Sequence, residues 1–368
     1  MLIAPEETWR DAALRPGLAL EVEGGTVRAL RPLGADLPDW RPRLAMPGAS
    51  DLQVNGGGGV LVNAEPTPDG LRAVRDAHAR LGTAGIMPTV ITDAPEIAEA
   101  AAGAFLAVKD EPGFLGLHLE GPHIAPERRG THDAGRIRPL DRRTVDLVSR
   151  LRTAGVRVMV TLAPERADPA LLAELIATGA VVSAGHSAAT ADQTRDALAA
   201  GVSCFTHLFN AMPPMLSRAP GIAAAAILSD AACGIIADGV HVDWDMLRLA
   251  LAARPDGAIT FLVSDAMPTV GGPDRFALYG REIRLRDGRL VNAEGALAGA
   301  HLDMLTALAR LHRHAGVPLA RCVAMATDAP RRVVGLPPHR IGPGTPIREI
   351  AFLDAGPDAE LRHATLPG

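Results

Sequence analysis

The regular alternation of strand-like and helix-like segments is the feature that most restricts how this chain can fold. Short apolar runs bounded by glycine, proline or polar residues are typical of buried parallel strands, whereas apolar residues every three or four positions are typical of helices. Most of the predicted strands are followed by a predicted helix. Eight strands are predicted, over residues 44–54, 86–90, 114–119, 156–162, 181–184, 203–206, 233–237 and 259–263.

Alternation at this density favours a parallel sheet, and eight units over roughly 280 residues fit a closed barrel. Short strands with glycine turns at both chain ends predict one small additional domain. We therefore expect an α/β protein: a TIM-like (β/α)8 barrel over residues 46–334, with a small β-sandwich domain formed by residues 1–45 and 335–368. Residues 273–297 predict a β-hairpin inserted before the last helices.

Composition argues against several classes of function. A net charge of −5 without basic runs gives no indication of a nucleic-acid surface. The N-terminus lacks the order of a signal peptide, and Ser229 and Asp230 interrupt the most apolar region, so no membrane span is expected. Three widely spaced cysteines in apolar surroundings predict free thiols in a reducing compartment. We expect a cytoplasmic protein that binds neither nucleic acid nor membrane.

Residues able to do chemistry follow four of the predicted strands. Glu120 follows the third, His186 the fifth, His207 the sixth and Asp265 the eighth. These four should lie together, because active sites of such barrels form at the carboxyl ends of the strands. Two imidazoles and one carboxylate are a common ligand set for a catalytic divalent metal that keeps one position for water. Asp265 is then expected to take a proton from that water and pass it to a leaving nitrogen.

Seven short motifs lie in order between Pro47 and Met267. They are Pro47-Gly-Ala-Ser-Asp-Leu-Gln-Val-Asn-Gly, His118-Leu-Glu-Gly-Pro, Gly130-Thr-His, Ala184-Gly-His-Ser, Thr206-His-Leu-Phe-Asn-Ala-Met, Asp238-Gly-Val-His-Val and Val263-Ser-Asp-Ala-Met. Together they resemble the N-acetylglucosamine-6-phosphate deacetylase family, which belongs to the amidohydrolase superfamily of metal-dependent barrels. An ordered set of motifs is far more specific than any single one.

The resemblance implies hydrolysis of the acetamide of N-acetylglucosamine-6-phosphate, or of a close N-acetylhexosamine phosphate, to the amino sugar phosphate and acetate. It implies Glu120, His186 and His207 as ligands of one divalent metal ion per subunit, with zinc expected first and iron second. It also implies that Asp265 acts as the general base and later as the acid.

The resemblance further implies which residues hold the substrate. His132 is expected beside the acetyl carbonyl, where it helps to stabilise the developing oxyanion. Arg218 and His241 are expected to bind the phosphate through charge-assisted hydrogen bonds, with His241 supplied by the neighbouring subunit of a homodimer. Further expected substrate contacts are Gln53, Asn210, Ala211 and His301.

Some positions depart from the pattern of the superfamily, and others from that of the deacetylase family. Gln53 and Asn55 stand where many amidohydrolases carry a His-x-His pair for a second metal. Neutral amides are poor metal ligands, so a single-metal site is expected. His123 replaces a residue that is usually aromatic, and His301 lies in a segment usually built of small and hydroxyl residues. Both predict an extra imidazole near the pocket, which leaves the configuration of the sugar open. His118 is expected either to support the metal ligands from behind or to pack in the core, rather than to bind the metal.

Three other functions remain open at this point. One is a different amidohydrolase that acts on another N-acyl or cyclic amide. A second is a barrel glycosidase that uses Glu120 and Asp265 as its carboxylate pair and survives chelators. A third is a catalytically silent sugar-phosphate sensor, although the complete set of ligand and acid-base residues argues against it.

Overall fold

The structure, a computed structural model, describes residues 1–293, 295, 297–356 and 360–367. Its N-terminal part consists of short strands that belong to two small sheets. These strands are β1 (Leu2–Ile3), β2 (Glu7–Arg10), β3 (Ala13–Pro16), β4 (Leu18–Glu23), β5 (Thr26–Pro32) and β6 (Leu44–Pro47). One sheet contains β1, β4 and β5, and the other contains β2, β3 and β6 together with strands from the C-terminal end.

Ten further strands follow in the central part of the chain. They are β7 (Ala49–Val54), β8 (Gly56–Gly57), β9 (Val60–Leu61), β10 (Thr83–Ile91), β11 (Leu117–Glu120), β12 (Val158–Leu162), β13 (Val181–Ala184), β14 (Cys204–Phe205), β15 (Ala232–Ile235) and β16 (Thr260–Leu262). Apart from the small hairpin β8–β9, they form one parallel sheet in chain order. Val54 bridges Ala266, just past β16, and so brings the two edges together. The nearly closed barrel confirms the predicted architecture.

Helices surround the barrel and pack on it through a common apolar core. They are α1 (Pro68–Ala79), α2 (Pro95–Val108), α3 (Arg142–Thr153), α4 (Pro169–Ala177), α5 (Ala191–Ala200), α6 (Gly221–Ile227), α7 (Trp244–Ala253), α8 (Met304–Ala315), α9 (Leu319–Ala326) and α10 (Asp328–Val333). Six begin at an Asp or Thr whose side chain accepts a first-turn N–H, which supplies a backbone donor with a partner. These caps are Thr67, Asp141, Asp168, Thr190, Asp243 and Asp303. None of the described helices is long and apolar enough to span a bilayer.

The inserted segment is larger than the predicted hairpin. It forms a three-stranded antiparallel sheet of β17 (Arg275–Leu278), β18 (Arg281–Arg286) and β19 (Arg289–Val291). Its apolar face packs on Ile91, at the end of β10, and on Met267, which follows β16. The insert therefore lies at the same end of the barrel as the carboxyl ends of the strands.

Both chain ends join one five-stranded sheet, because β20 (Ile350–Ala355) pairs with β6 and with β21 (Leu361–Ala364). A shared apolar cluster, to which Leu20 and Phe352 contribute, packs this sheet on the sheet of β1, β4 and β5. The residue boundaries between the two predicted domains stay a prediction.

The prediction of one continuous strand over residues 44–54 was wrong. The strand is interrupted at Gly48, whose N–H donates to Glu349 O at 2.7 Å. The strands on either side, β6 and β7, belong to different sheets.

Candidate metal centre and active site

Glu120, His186 and His207 converge at the carboxyl ends of the barrel strands. Glu120 Oε1 lies 3.0 Å from His207 Nε2 and 3.4 Å from His186 Nε2, and the two Nε2 atoms are 3.1 Å apart. All three residues are buried. Neighbouring ligands of a tetrahedral zinc with bonds of about 2.0 Å lie about 3.3 Å apart, so the spacing fits a divalent cation.

The electrostatics of the three residues are those of a tightly paired cluster. Burial by itself raises the pKa of Glu120, but hydrogen bonds with His186 and His207 hold that pKa well below its usual range. Burial lowers the pKa of His207, yet the hydrogen bond to Glu120 raises it above the ordinary value. A buried carboxylate is stable here only because positive charge faces it, and a bound cation supplies such charge.

The loop after β11 fixes the orientation of His186. Its Nδ1 lies 2.8 Å from Arg128 O. A carbonyl oxygen only accepts hydrogen bonds, so Nδ1 carries the proton and Nε2 presents its lone pair to the cluster. This is the usual way in which a protein orients a metal-binding histidine.

Three residues at the barrel mouth have a left-handed backbone conformation. The φ angles are 48° for His186, 31° for His207 and 51° for Asp265. Positive φ is uncommon for residues other than glycine, and such strain concentrates at functional sites. Each of these residues lies at the point where a strand has ended and the chain turns away.

Asp265 lies beside the cluster and is held by two amides. Its Oδ1 accepts hydrogen bonds from Asn55 Nδ2 at 2.6 Å and from Gln53 Nε2 at 3.2 Å. Gln53 Nε2 also donates to Glu120 Oε1 at 2.8 Å, so one amide connects the two carboxylates. Burial, together with the charge of Glu120, raises the pKa of Asp265 to about 6. A carboxylate with this pKa is suited to accept and return a proton near neutral pH.

A chain of polar side chains forms the floor of the site. His118 Nδ1 lies 3.0 Å from Leu52 O, and its Nε2 lies 2.8 Å from Thr161 Oγ1. Thr206 Oγ1 is 2.6 Å from both Thr161 Oγ1 and Ser183 Oγ. Burial lowers the pKa of His118 to about 4, so this ring is neutral and Nδ1 donates to the carbonyl. Ser183 then donates to Thr206, Thr206 to Thr161, and Thr161 to His118.

His132 also lies against the cluster. Its ring centroid is 4.4 Å from that of His186, and its Nδ1 is 2.6 Å from Thr92 Oγ1. Ligand atoms of Glu120, His132 and His186 all lie within 4.8 Å of one another, so these residues also form a possible ligand set. The shorter distances favour His207 as the third ligand. Burial, with the charge of His186, lowers the pKa of His132 to about 3.

The other predicted substrate residues lie on loops. Asn210 Nδ2 donates to His207 O at 3.2 Å, and the neighbouring Ala211 has a φ of 52°. Arg218 is exposed. His301 Nδ1 lies 2.9 Å from Thr269 Oγ1.

His241 is half-buried, and its Nδ1 lies 2.7 Å from Asp238 Oδ2. Its charge acts to lower the pKa of Asp265 in the same chain, although the burial of Asp265 is the larger effect. His241 therefore lies within electrostatic range of the cleft.

One expectation about the pocket was wrong. His123 Nδ1 lies 3.2 Å from Arg138 O, and its Nε2 lies 2.8 Å from Thr144 Oγ1 on α3. Both ring nitrogens are occupied, so His123 offers no extra imidazole to a substrate.

Two residues that contact the site were not predicted. Thr92 follows β10 immediately, as Glu120 and Asp265 stand at the ends of their own strands, and this position was the available signal. Tyr279, the only tyrosine in the chain, donates its hydroxyl to Thr92 O at 2.5 Å. It comes from the insert, and nothing in its local sequence indicates that contact.

The chain matches the amidohydrolase family model over residues 44–344. The N-acetylgalactosamine-6-phosphate deacetylase of Shewanella sp. (strain ANA-3) is 37% identical over 330 residues, covering 87% of this chain and 83% of that protein. The N-acetylglucosamine-6-phosphate deacetylase of Haemophilus influenzae is 30% identical over 295 residues, covering 78% of this chain and 76% of that protein.

Solved structures of deacetylases are similar to this chain as well. N-acetylglucosamine-6-phosphate deacetylase from Pasteurella multocida superposes with a TM-score of 0.85 at 28% identity, covering 99% of this chain and 98% of that one. A variant of the Mycobacterium smegmatis enzyme in complex with N-acetyl-D-glucosamine-6-phosphate superposes with a TM-score of 0.85 at 30% identity, covering 98% and 96%. The chain therefore belongs to the amidohydrolase family, within the group of the amino sugar phosphate deacetylases.

Proposed function

We propose that this protein is a metal-dependent deacetylase that hydrolyses the acetamide of N-acetylglucosamine-6-phosphate, or of its galacto epimer, to the amino sugar phosphate and acetate. The observation that carries the proposal is the buried cluster of Glu120, His186 and His207, with Asp265 held beside it by two amides. Relatives that share this fold along most of their length are named as deacetylases of these two sugar phosphates.

In this proposal Glu120, His186 and His207 hold one divalent ion, zinc first and iron second. When bound, the ion polarises the amide carbonyl and makes a coordinated water more acidic. The Asp265 carboxylate is placed to accept a proton from the attacking water and to return it to the departing amine nitrogen. The amides of Gln53 and Asn55 keep the carboxylate aimed while it changes charge. His132 donates a hydrogen bond to the developing oxyanion from its Nε2.

We further propose that Arg218 and His241 hold the phosphate, with His241 supplied by the neighbouring subunit of a homodimer. Asn210, Ala211 and His301 are proposed to contact the sugar. An exposed guanidinium and a half-buried imidazole are both accessible to a dianion, which supports the first part of the proposal. We place the enzyme in the cytoplasm, where phosphorylated sugars are held.

The deciding experiment measures acetate released from N-acetylglucosamine and N-acetylgalactosamine, each with and without the 6-phosphate, by the metal-loaded enzyme and by the chelated one. Metal content is determined in parallel. We expect turnover of a 6-phosphate, loss of turnover on chelation, and no turnover by Asp265→Asn although that variant keeps its metal. Retained activity in Asp265→Asn would refute the role of this carboxylate.

The same experiment separates the alternatives. A glycosidase would release sugar rather than acetate and would survive the chelator. An amidohydrolase for a different amide would release no acetate from any of the four sugars, and Arg218→Ala would scarcely change turnover of its own substrate. A sensor would bind a sugar phosphate without turning it over.

A further inference from the structure

The hydrogen-bond partner of His132 differs in kind from that of its neighbour His186. Nδ1 of His186 faces the carbonyl oxygen of Arg128, whereas Nδ1 of His132 faces the hydroxyl of Thr92 at 2.6 Å. A carbonyl can only accept, but a hydroxyl can either accept or donate. Nδ1 of His186 must therefore donate, whereas Nδ1 of His132 can either donate or accept.

The direction of the bond to Thr92 decides what His132 can do. If Nδ1 carries the proton, Nε2 presents a lone pair and His132 can act as a further metal ligand, since it lies within reach of Glu120 and His186. If Thr92 donates instead, Nε2 carries the proton and His132 can act only as a hydrogen-bond donor toward the cleft. The two states exclude each other in a neutral ring.

Burial resolves the choice. Both Thr92 and His132 are buried, and the described residues offer the Thr92 hydroxyl proton no acceptor other than His132. If Nδ1 donated to Thr92, that hydroxyl proton would be buried without an acceptor. An unsatisfied buried donor is unfavourable by about 1–3 kcal/mol. With Thr92 as the donor the pair is satisfied, and the remaining N–H of His132 points to where a substrate can accept it.

Thr92 is itself held from outside the barrel. The hydroxyl of Tyr279 donates to Thr92 O at 2.5 Å, across 187 residues of sequence. Tyr279 and Gly280 form the two-residue turn between β17 and β18, where both have a positive φ, 50° and 74°, as such a hairpin turn requires. The insert thus fixes the backbone from which the Thr92 hydroxyl is aimed.

We propose that Thr92 is a positioning residue that keeps His132 in the Nε2–H form, with Tyr279 anchoring Thr92. This arrangement makes His132 a donor to the oxyanion rather than a ligand of the metal. The inference deepens the proposed deacetylase function and rests on it for the identity of the acceptor, but the tautomer itself can be measured without turnover.

The test combines kinetics with nitrogen-15 NMR of histidine-labelled, zinc-loaded full-length protein, in which the His132 signals are assigned by their loss in His132→Gln. We expect wild-type His132 to carry its proton on Nε2. Removing a donor to the oxyanion typically lowers kcat by about 10²–10³-fold. Thr92→Val should leave the His132 donor in place but less well oriented, so kcat should fall by about tenfold or more while KM changes little. Thr92→Ser, which keeps the hydroxyl, should restore both the tautomer and kcat.

Thr83→Val is the matched control, because Thr83 is a buried threonine on β10, the strand that Thr92 follows, and its hydroxyl has no partner in the described part of the chain. It should leave kcat and the His132 signals unchanged. The inference is overturned if wild-type His132 carries its proton on Nδ1, or if Thr92→Val keeps full kcat.

If Thr92→Val fails to fold, the inference is still tested by the wild-type tautomer and by the kcat of Tyr279→Phe. We expect kcat to be lowered in Tyr279→Phe. An enzyme that shows the Nε2–H signal but releases no acetate would refute the proposed function while leaving the tautomer assignment standing.

Discussion

Asp51 provides the most direct test of the energetics of this barrel. It lies on β7 at the closure, where its Oδ1 accepts backbone N–H bonds from Gln53 at 3.1 Å and from Ser264 at 3.2 Å. Its Oδ2 is buried and has no hydrogen-bond partner among the described residues. Burial raises the pKa of Asp51 from 3.8 to about 7, and its hydrogen bonds with Ser264 and Gln53 offset only part of that rise.

The sign and size of the effect follow from proton linkage. The folded state binds the Asp51 proton more tightly than the unfolded state does, so this group makes stability fall as pH rises from about 4 to about 7 and then level off. A difference of about three pKa units corresponds to about 4 kcal/mol, of which about 2 kcal/mol falls between pH 5 and 7. Against a typical total stability of about 5–15 kcal/mol this is a large term.

Asp51→Asn keeps the accepting oxygen and removes the ionisation. We expect the variant to gain stability relative to wild type as pH rises from 5 to 7, and to be the more stable protein above pH 7. Urea unfolding of both proteins at pH 5, 6, 7 and 8 measures the difference between their unfolding free energies. In that difference the contributions of groups that titrate identically in the two proteins cancel. Parallel pH profiles with equal urea slopes would refute the reasoning.

Three further substitutions test local features. Gly103→Ala, in the exposed interior of α2 with open space around the new methyl, should stabilise the fold by about 0.5–1 kcal/mol in urea unfolding, and a loss would contradict this. Gly185→Ala would place its Cβ 2.8 Å from Thr161 Cγ2, so the backbone next to His186 must shift. The metal bound per chain, measured by elemental analysis, should therefore fall in this variant and stay unchanged in Gly103→Ala. Arg254→Met removes a buried guanidinium that donates to the carbonyl oxygens of Ala226 and Ala231, at 2.9 and 2.5 Å, and should destabilise the protein by about 2 kcal/mol or more. Unchanged unfolding would show that water replaces the guanidinium.

The barrel could be predicted because its strands are buried on both faces and its helices on one. This difference produces two distinct apolar patterns in the sequence. The starts of α3 and α7 are marked in the sequence, since each begins at an aspartate cap, Asp141 or Asp243.

The missed elements lacked these signals. Helix α6, residues 221–227, has a single position that is not fully buried, so no polar face marks it as a helix. The change of sheet at Gly48 did have a signal, the dipeptide Pro47-Gly48, which lies inside the strand predicted over residues 44–54. The backbone partner of Gly48 there is Glu349 O, which is far away in sequence.

The site was partly predictable for a similar reason. Glu120 and Asp265 could be placed from strand order alone, because parallel strands bring their carboxyl ends to one rim. The direction of a loop side chain is not encoded locally, which is why His123 was wrongly assigned to the pocket. Thr92 was missed although its position directly after β10 was a signal, whereas Tyr279 was missed because only folding brings its hydroxyl to Thr92 O.

The left-handed backbone at three cleft residues changes how substitutions there must be interpreted. A valine or isoleucine in place of His186, His207 or Asp265 would remove a functional group and also oppose the local chain direction, so lost activity would mix two causes. Asparagine, which tolerates this conformation, isolates the chemical contribution. Variant libraries designed to give this cleft a new reaction should therefore choose substitutions first for their tolerance of positive φ and only then for the reactivity of the side chain.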